Sequence, residues 1–281
     1  MTRPLLTEAT LHASFLIDAW DAVPERGAPN AVYVREPADE TLLDERLRVH
    51  ADLHGSRIDN SRDRARLEKV YGELSRTDLA MVRMYGLPAL SAHRETPYRQ
   101  VGATFNDPKV RHLVQTEWPA GGQILVFLDE LLGKDWLEPH EADIINGHSA
   151  VLPHARGMHA LEQVAAAGDR ARFLRAVGGT VHYIDGGVDT GPVIYAERLP
   201  RPLAFESLWA CKAASFKLTF DLLVRLCERL GEADAGTPAG AVQAPPAEPA
   251  FRRRTFDEET ARRAAAQFLE WRAEENLDQV P

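Results

Sequence analysis

The sequence predicts an α/β protein in which a mainly parallel sheet carries helices on both faces. Three observations predict it. Gln123-Ile124-Leu125-Val126-Phe127-Leu128 is a continuous apolar run of strand length, the pattern of a strand buried on both sides. Ile144-Ile145, Thr180 to Ile184 and Val193 to Leu199 add three further strand candidates in the same half of the chain. Between and after them the apolar spacing turns helical, and alternation of strands with helices is the signature of a parallel sheet with crossover connections.

Taken in order, residues 5–23 space Leu5, Leu11, Phe15, Leu16, Ala19, Trp20 and Val23 at helical intervals, and Pro24 to Pro29 breaks that helix. Ala31 to Val34 is a short strand. The charge-rich segment 41–75 is mostly helical in pattern, and Asp78 to Tyr85 fits either strand or helix. Residues 86–108 are interrupted by prolines and read as irregular surface structure or a substrate-facing insertion. Val110 to Gln115 forms a helix turn, and Pro119 to Gly122 is a break before the 123–128 strand. Glu138-Pro139 ends a helix ahead of Ile144. Residues 158–177 are helical with a break at Asp169, and Ser207 to Leu230 is a long amphipathic helix. The Gly-, Ala- and Pro-rich stretch 231–250 is a linker or extended strap, followed by the basic Phe251-Arg252-Arg253-Arg254 and a terminal helix over 257–275. This organisation divides the chain into 1–120; 121–230, which holds the clearest strand signals; and 231–281, the strap and helix.

Composition excludes several classes. With 281 residues, 44% hydrophobic and 27% charged, the chain buries a sizeable core and is neither disordered nor membrane-spanning. A formal net charge of −9 disfavours a nucleic-acid partner. Cys211 and Cys227 lie sixteen positions apart on one predicted helix, which suggests no disulfide, and the start shows no secretory signal; both point to the cytoplasm.

The chemistry concentrates between Ile144 and Pro192. Working residues of parallel sheets lie outside the carboxyl ends of the strands. Asn146 and His148 follow Ile144-Ile145, and Asp189 follows the strand ending at Ile184. An amide, an imidazole and a carboxylate so delivered form a set suited to acyl transfer. Singly, each has a blander reading. Asn146-Gly147 is a strong turn dipeptide, a lone histidine is more often a satisfied surface group, and Asp189 fits an ordinary loop. His148, His154 and His159 are spaced by six and five, which puts no metal-binding face on a helix, so no metal site is expected. His154 and His159 are read as lining or capping the entrance, and His182 as a structural partner in the site wall.

Asn146-Gly147-His148-Ser149-Ala150-Val151-Leu152-Pro153, followed by Thr180-Val181-His182 and Val188-Asp189-Thr190-Gly191-Pro192, resembles the motif set of the folate-dependent formyltransferases. That family includes the glycinamide ribonucleotide, methionyl-tRNA and sugar N-formyltransferases. The resemblance runs from about 123 to 230 and extends to Phe251-Arg252-Arg253-Arg254-Thr255. It implies a Rossmann-like formyltransferase fold and transfer of a formyl group from 10-formyltetrahydrofolate to an amine of a small molecule. Asn146 and protonated His148 would donate to the oxygen of the tetrahedral intermediate, and Asp189 would hold His148 charged and relay the proton. Phe127, Leu128, Glu130, Leu131 and Leu132 would grip the pterin together with Asp185, Gly186, Gly187 and Val188, largely through backbone groups.

The chain departs from the pattern in two places. Ser149-Ala150 replaces the family's Pro-Ser after the histidine, a loss of loop stiffness. The first ~85 residues lack the glycine-rich turn with which many members bind a phosphate. The amine therefore stays unassigned, and a homodimer is one of the assemblies left open. Three alternatives remain: a hydrolase releasing formate on the same residues, a silent ligand-binding homologue, and an enzyme with another one-carbon or carbamoyl donor.

Overall fold

A computed structural model of the chain describes residues 3–23, 30–90, 98–117, 122–137, 144–231, 236, 238–246 and 248–277. The chain divides into two units, Met1–Gly147 with Phe220–Ala239, and His148–Thr219 with Gly240–Pro281. The breaks expected at Pro24 to Pro29 and Glu138-Pro139, and most of the one at Pro119 to Gly122, lie outside the described residues.

The first unit opens with β1 (Arg3–Glu8), α1 (Leu11–Asp21) and β2 (Asn30–Arg35), and continues through α2 (Glu40–Leu53), α3 (Ser61–Tyr71), α4 (Arg76–Tyr85) and β3 (Tyr98–Gln100). Then come α5 (Pro108–Glu117), β4 (Ile124–Phe127), α6 (Lys134–Leu137) and β5 (Ile144–His148), whose last residue begins the second unit. The helix expected over 5–23 is corrected: its first four residues, Leu5 to Glu8, belong to β1. Leu5 and Leu6 are both fully buried, because β1 lies between β2 and β4, with Leu5 opposite Val32 on one side and Leu125 on the other. A strand buried on both faces shows no alternation, so its leucines read as helical when joined to those that follow. Thr10 starts α1 by accepting a hydrogen bond from the Ala13 N–H at 3.3 Å. The undecided segment 78–85 is helical, fixed by a capping box in which Ser75 and Asp78 each bond the other's backbone.

The second unit contains α7 (Ala160–Ala166), α8 (Arg170–Ala176), β6 (Gly178–Tyr183) and β7 (Val193–Arg198), most of α9 (Leu208–Leu230), and α10 (Glu258–Leu277). Asp169, the expected break, caps α8 through the Arg172 N–H at 2.9 Å. Phe173 forms the centre of this core, 5.9 Å from Phe268 and 5.4 Å from Trp271 between ring centroids. The stretch read as linker or strap runs extended in its second half. Ala241 pairs with Val193, and Phe251 pairs with Gly157. Gly157 has φ of 89°, and a Cβ there would sit 2.1 Å from the Phe251 carbonyl oxygen, so this pairing needs glycine.

Together the strands form one mostly parallel sheet in the order β3-β2-β1-β4-β5-β6-β7, with β7 antiparallel to β6. This is the α/β class that the sequence predicts. Cys211 and Cys227 are both free and buried on α9.

Within the first unit, the carboxyl ends of β1, β2 and β4 gather a charged group. Arg35 donates to Glu8 at 2.6 Å and to Asp129, and the Asp129 N–H donates to Glu8 at 3.1 Å. Glu8 is only 5% exposed. Burial, followed by the nearby Asp129 carboxylate, pushes its pKa up to about 7, against the pull of Arg35. The folded state therefore holds this proton between the ordinary carboxylate range and pH 7, where the unfolded chain has released it. The linked stability is present at low pH and is lost as the pH rises through 7. Glu8→Gln stays neutral, so urea unfolding should show the variant gaining on the wild type by about 1–3 kcal/mol between pH 5 and pH 8. Parallel stability curves for the two proteins would refute this account.

Candidate active site

Asn146 and His148 are the third and last residues of β5 rather than members of a loop after it. Residues two apart on a strand project from the same face, so the strand itself sets both side chains on one side. His148 is 9% exposed. Its Nε2 donates to the Ala155 carbonyl at 2.9 Å, and because a carbonyl only accepts, the ring carries a proton there. Its Nδ1 faces Asp189 Oδ2 at 3.6 Å, while Thr219 Oγ1 donates to the His148 carbonyl at 3.2 Å.

Asp189 is the node of this arrangement. Its Oδ2 accepts from the Gly157 N–H at 2.7 Å, and its Oδ1 lies 3.5 Å from His182 Nε2. The other nitrogen of His182 donates to the Tyr183 carbonyl at 2.8 Å, which fixes the ring plane. Asp189 has φ of 53°, a left-handed conformation that a non-glycine residue adopts at a cost of about 1–3 kcal/mol. Two supports hold it. Gln243 Nε2 donates to the carbonyls of Asp189 at 3.1 Å and Gly191 at 2.7 Å. Asp185 Oδ1 accepts from the Gly187 N–H at 3.0 Å and from Thr190 Oγ1 at 2.6 Å.

The electrostatics follow from burial and pairing. Burial pushes the Asp189 carboxyl up, but the imidazole of His148, then the hydrogen bond and charge of His182, then the Gly157 N–H outweigh it, and the group is held well below the usual carboxylate range. His148 is driven below its ordinary value by burial, against the upward pull of Asp189 and the Ala155 carbonyl; His182 and Lys212 push it further down. The pair thus rests as a carboxylate beside an imidazole that burial biases toward neutrality. An additional negative charge near the ring would shift that balance toward imidazolium.

The structure places the other expected residues as follows. Phe127 is buried in the first unit, edge-on to Phe220 at 4.9 Å and to His12 at 6.2 Å. The Glu130 carboxylate is engaged by Thr104, by the Phe105 N–H at 2.9 Å and by Asn106 Nδ2 at 2.9 Å, which pins the loop after β4. Leu128 and Leu132 are half-buried, and Leu131 is 71% exposed. In the second unit, Gly186 and Gly187 are exposed, and the Val188 carbonyl accepts from Arg156 at 3.3 Å. The His154 carbonyl takes a bond from Arg172 at 2.6 Å, and His159 stacks on Phe256 at 4.3 Å. Among the described residues, no group of three or more His, Cys, Asp or Glu is placed to hold a metal ion, and no helix is long and apolar enough to cross a membrane.

Sequence reasoning identified His148 and Asp189 but missed the residues that fix them. His182 was placed in the wall without its bond to Asp189. A histidine at the end of a buried strand, seven residues before the carboxylate, was the available signal. Gln243 sits in a Pro- and Ala-rich stretch that gives no signal at all.

The formyl transferase family matches residues 95–201, which contain all three motifs together with His148, Gly157, His182 and Asp189. Phosphoribosylglycinamide formyltransferase of Bacillus subtilis (strain 168) is 41% identical over 64 residues, 23% of this chain and 30% of that protein. Methionyl-tRNA formyltransferase of Synechococcus sp. (strain CC9605) is 29% identical over 117 residues, 42% of this chain and 33% of that protein. The chain therefore spans about a third of the length of these relatives. Among solved structures, a sugar N-formyltransferase from Shewanella sp FDAARGOS_354 superposes with a TM-score of 0.55 at 9% identity, over 96% of this chain and 88% of that one. A 4-N formyltransferase from Francisella tularensis gives 0.51 at 10% identity, over 95% and 87%. At such identities the superpositions establish a shared fold. The formyl transferase match over 95–201 thus falls on the motifs of 144–192, in a chain whose fold is shared with these structures.

Proposed function

We propose that this protein transfers a formyl group from 10-formyltetrahydrofolate to an amine of a small molecule. The observation that carries the reading is the buried His148–Asp189 pair, held 3.6 Å apart on the very motifs that the family match covers. The relatives are themselves named as formyltransferases of a glycinamide, a methionyl-tRNA and sugars.

The residues present fit a reduced folate. Gly186 and Gly187 expose backbone in a loop of the second unit braced by Asp185. Backbone donors and acceptors suit a flat, hydrogen-bonding ring. The bound folate supplies the formyl carbonyl. Asn146 and His148 donate to its oxygen as negative charge develops there, each donor contributing about 10²–10³ in rate. For this, the Nε2 proton of His148 turns from the Ala155 carbonyl to the substrate oxygen. Asp189 orients His148 and favours its charged form, and the proton lost by the attacking amine is relayed past Asp189 to the folate nitrogen as the bond from that nitrogen to the formyl carbon breaks. The acceptor is a small molecule, since an acidic chain offers little to a polyanion such as tRNA.

Incubation of the protein with 10-formyltetrahydrofolate and a panel of amines, followed by absorbance and mass, tests the reading. Asn146→Ala, His148→Ala and Asp189→Ala should each lower transfer by about 10²-fold or more while folate binding by calorimetry is retained. Full activity in His148→Ala would refute the mechanism, and formate release at the same rate without any amine would make the protein a hydrolase. A second prediction concerns the pair itself. Asp189 raises the His148 pKa, so Asp189→Asn should move the imidazole titration, followed by NMR, further below the ordinary histidine value. A midpoint that rises in Asp189→Asn would reverse the assignment of Asp189 as the charge partner.

A further inference from the structure

The residue after the catalytic histidine is held by an unusual group. Ser149 is 7% exposed, and its Oγ accepts a hydrogen bond from Lys212 Nζ at 2.9 Å. Lys212 is itself 5% exposed, on the same α9 that carries Thr219. Seven positions separate the two, which returns a helix to the same face, and Thr219 bonds the His148 carbonyl. Helix α9 thus grips two consecutive residues, His148 through its backbone and Ser149 through its side chain. Thr180 continues the brace, donating to the Ala150 carbonyl at 2.7 Å and accepting from the Leu152 N–H at 3.1 Å.

The ammonium of Lys212 is balanced by Glu162 on α7, 3% exposed, at 3.6 Å. Glu162 Oε2 accepts no hydrogen bond among the described residues, so the lysine gives its bond to the serine and only its charge to the carboxylate. The remaining neighbours are the Phe216 ring, 5.0 Å from the ammonium, and His159, 3.9 Å from Glu162 Oε1. Taking two ions out of water costs several kcal/mol each, and such a pair adds little net stability over apolar side chains of the same volume. Stability alone does not account for it.

We propose that Lys212 is a positioning residue for formyl transfer: its buried ammonium ties Ser149 to Glu162 and thereby fixes the orientation and the charge state of His148. The inference rests on the reading of His148 as the catalytic imidazole. The charged and titratable groups acting on that imidazole are Asp189, His182 and Lys212. The carboxylate favours the imidazolium and the ammonium opposes it. A ring poised between them keeps its proton mobile, which is what a donor that must also release a proton requires.

The test reads His148 directly, without turnover. The imidazole is titrated by NMR in the wild type, Lys212→Met and Lys212→Arg. Lys212→Met should raise the His148 midpoint by about half a pH unit or more, and Lys212→Arg should leave it near the wild-type value. Transfer should fall roughly tenfold in kcat in Lys212→Met, with KM for the folate unchanged and with recovery in Lys212→Arg. An unmoved His148 midpoint in folded Lys212→Met overturns the proposal. Should Lys212→Met fail to fold, Ser149→Ala keeps the ion pair and removes the tie. It should shift the His148 ring resonances and lower kcat several-fold, and an unchanged ring with unchanged kcat overturns the proposal as well. A wild type that transfers no formyl group, with the NMR shift as expected, would sink the proposed function and leave the coupling of Lys212 to His148 standing.

Discussion

A carboxylate shielded from water keeps its charge only where donors surround it, and Asp189, with a side chain 11% exposed, is such a group. The requirement explains the architecture of the second unit around it. Gly157 must be glycine because the strap runs past it too closely for a Cβ, and that same residue gives its N–H to Asp189. His182 sits one residue from the end of β6 with its ring anchored on the Tyr183 carbonyl, and its other nitrogen completes the shell. The left-handed backbone at 189 is affordable because Gln243 bonds the carbonyls on both sides of the turn. Charge, glycine, strap and turn are one constraint met four times.

Burial works on His148 with the opposite sign. Removing an imidazole from water favours its neutral form, while the carboxylate at 3.6 Å favours the charged one. Burial is the larger of the two, so the ring is biased toward its neutral form while the carboxylate opposes that bias. A fully exposed His–Asp pair would titrate like free histidine, and a pair tightly hydrogen-bonded in a dry core would stay charged. The observed spacing, longer than a hydrogen bond, lies between these limits and lets small neighbouring charges decide.

The sequence made the strands of the central and later chain legible because their apolar runs are bounded by polar or glycine residues. It also pointed to His148, at the end of a strand, and Asp189, in the loop between two strands, because both lie in spaced motifs, and the fold brings the two to 3.6 Å. The first strand was not legible, since Glu8-Ala9-Thr10 gives a strand-to-helix turn with neither glycine nor proline to punctuate it. The capping box Ser75-Arg76-Thr77-Asp78 was a readable signal for α4, whereas the three-residue β3 is too short to show any period. The polar partners were hidden for a different reason. Gln243 lies 54 positions from Asp189, Lys212 63 from Ser149, and Asp129 121 from Glu8, and no local pattern encodes such pairings.

The departure from the family's motif after the histidine connects these points. A proline there stiffens the chain through its ring, by restricting φ at no cost in polar groups. A serine leaves the backbone free, so the same rigidity has to come from outside the loop. In this chain it comes from hydroxyls and an ammonium: Thr219 on the His148 carbonyl, Lys212 on Ser149, and Thr180 on Ala150 and Leu152. Each such bond adds only about 0.5–1.5 kcal/mol, yet each fixes a different backbone or side-chain atom of one five-residue segment. A brace built from charge also does what a proline ring cannot, because it enters the titration of the neighbouring imidazole. Through Lys212 the same contact bears on both the stiffness of the segment and the proton affinity of His148, whereas Thr219 and Thr180 contribute stiffness alone.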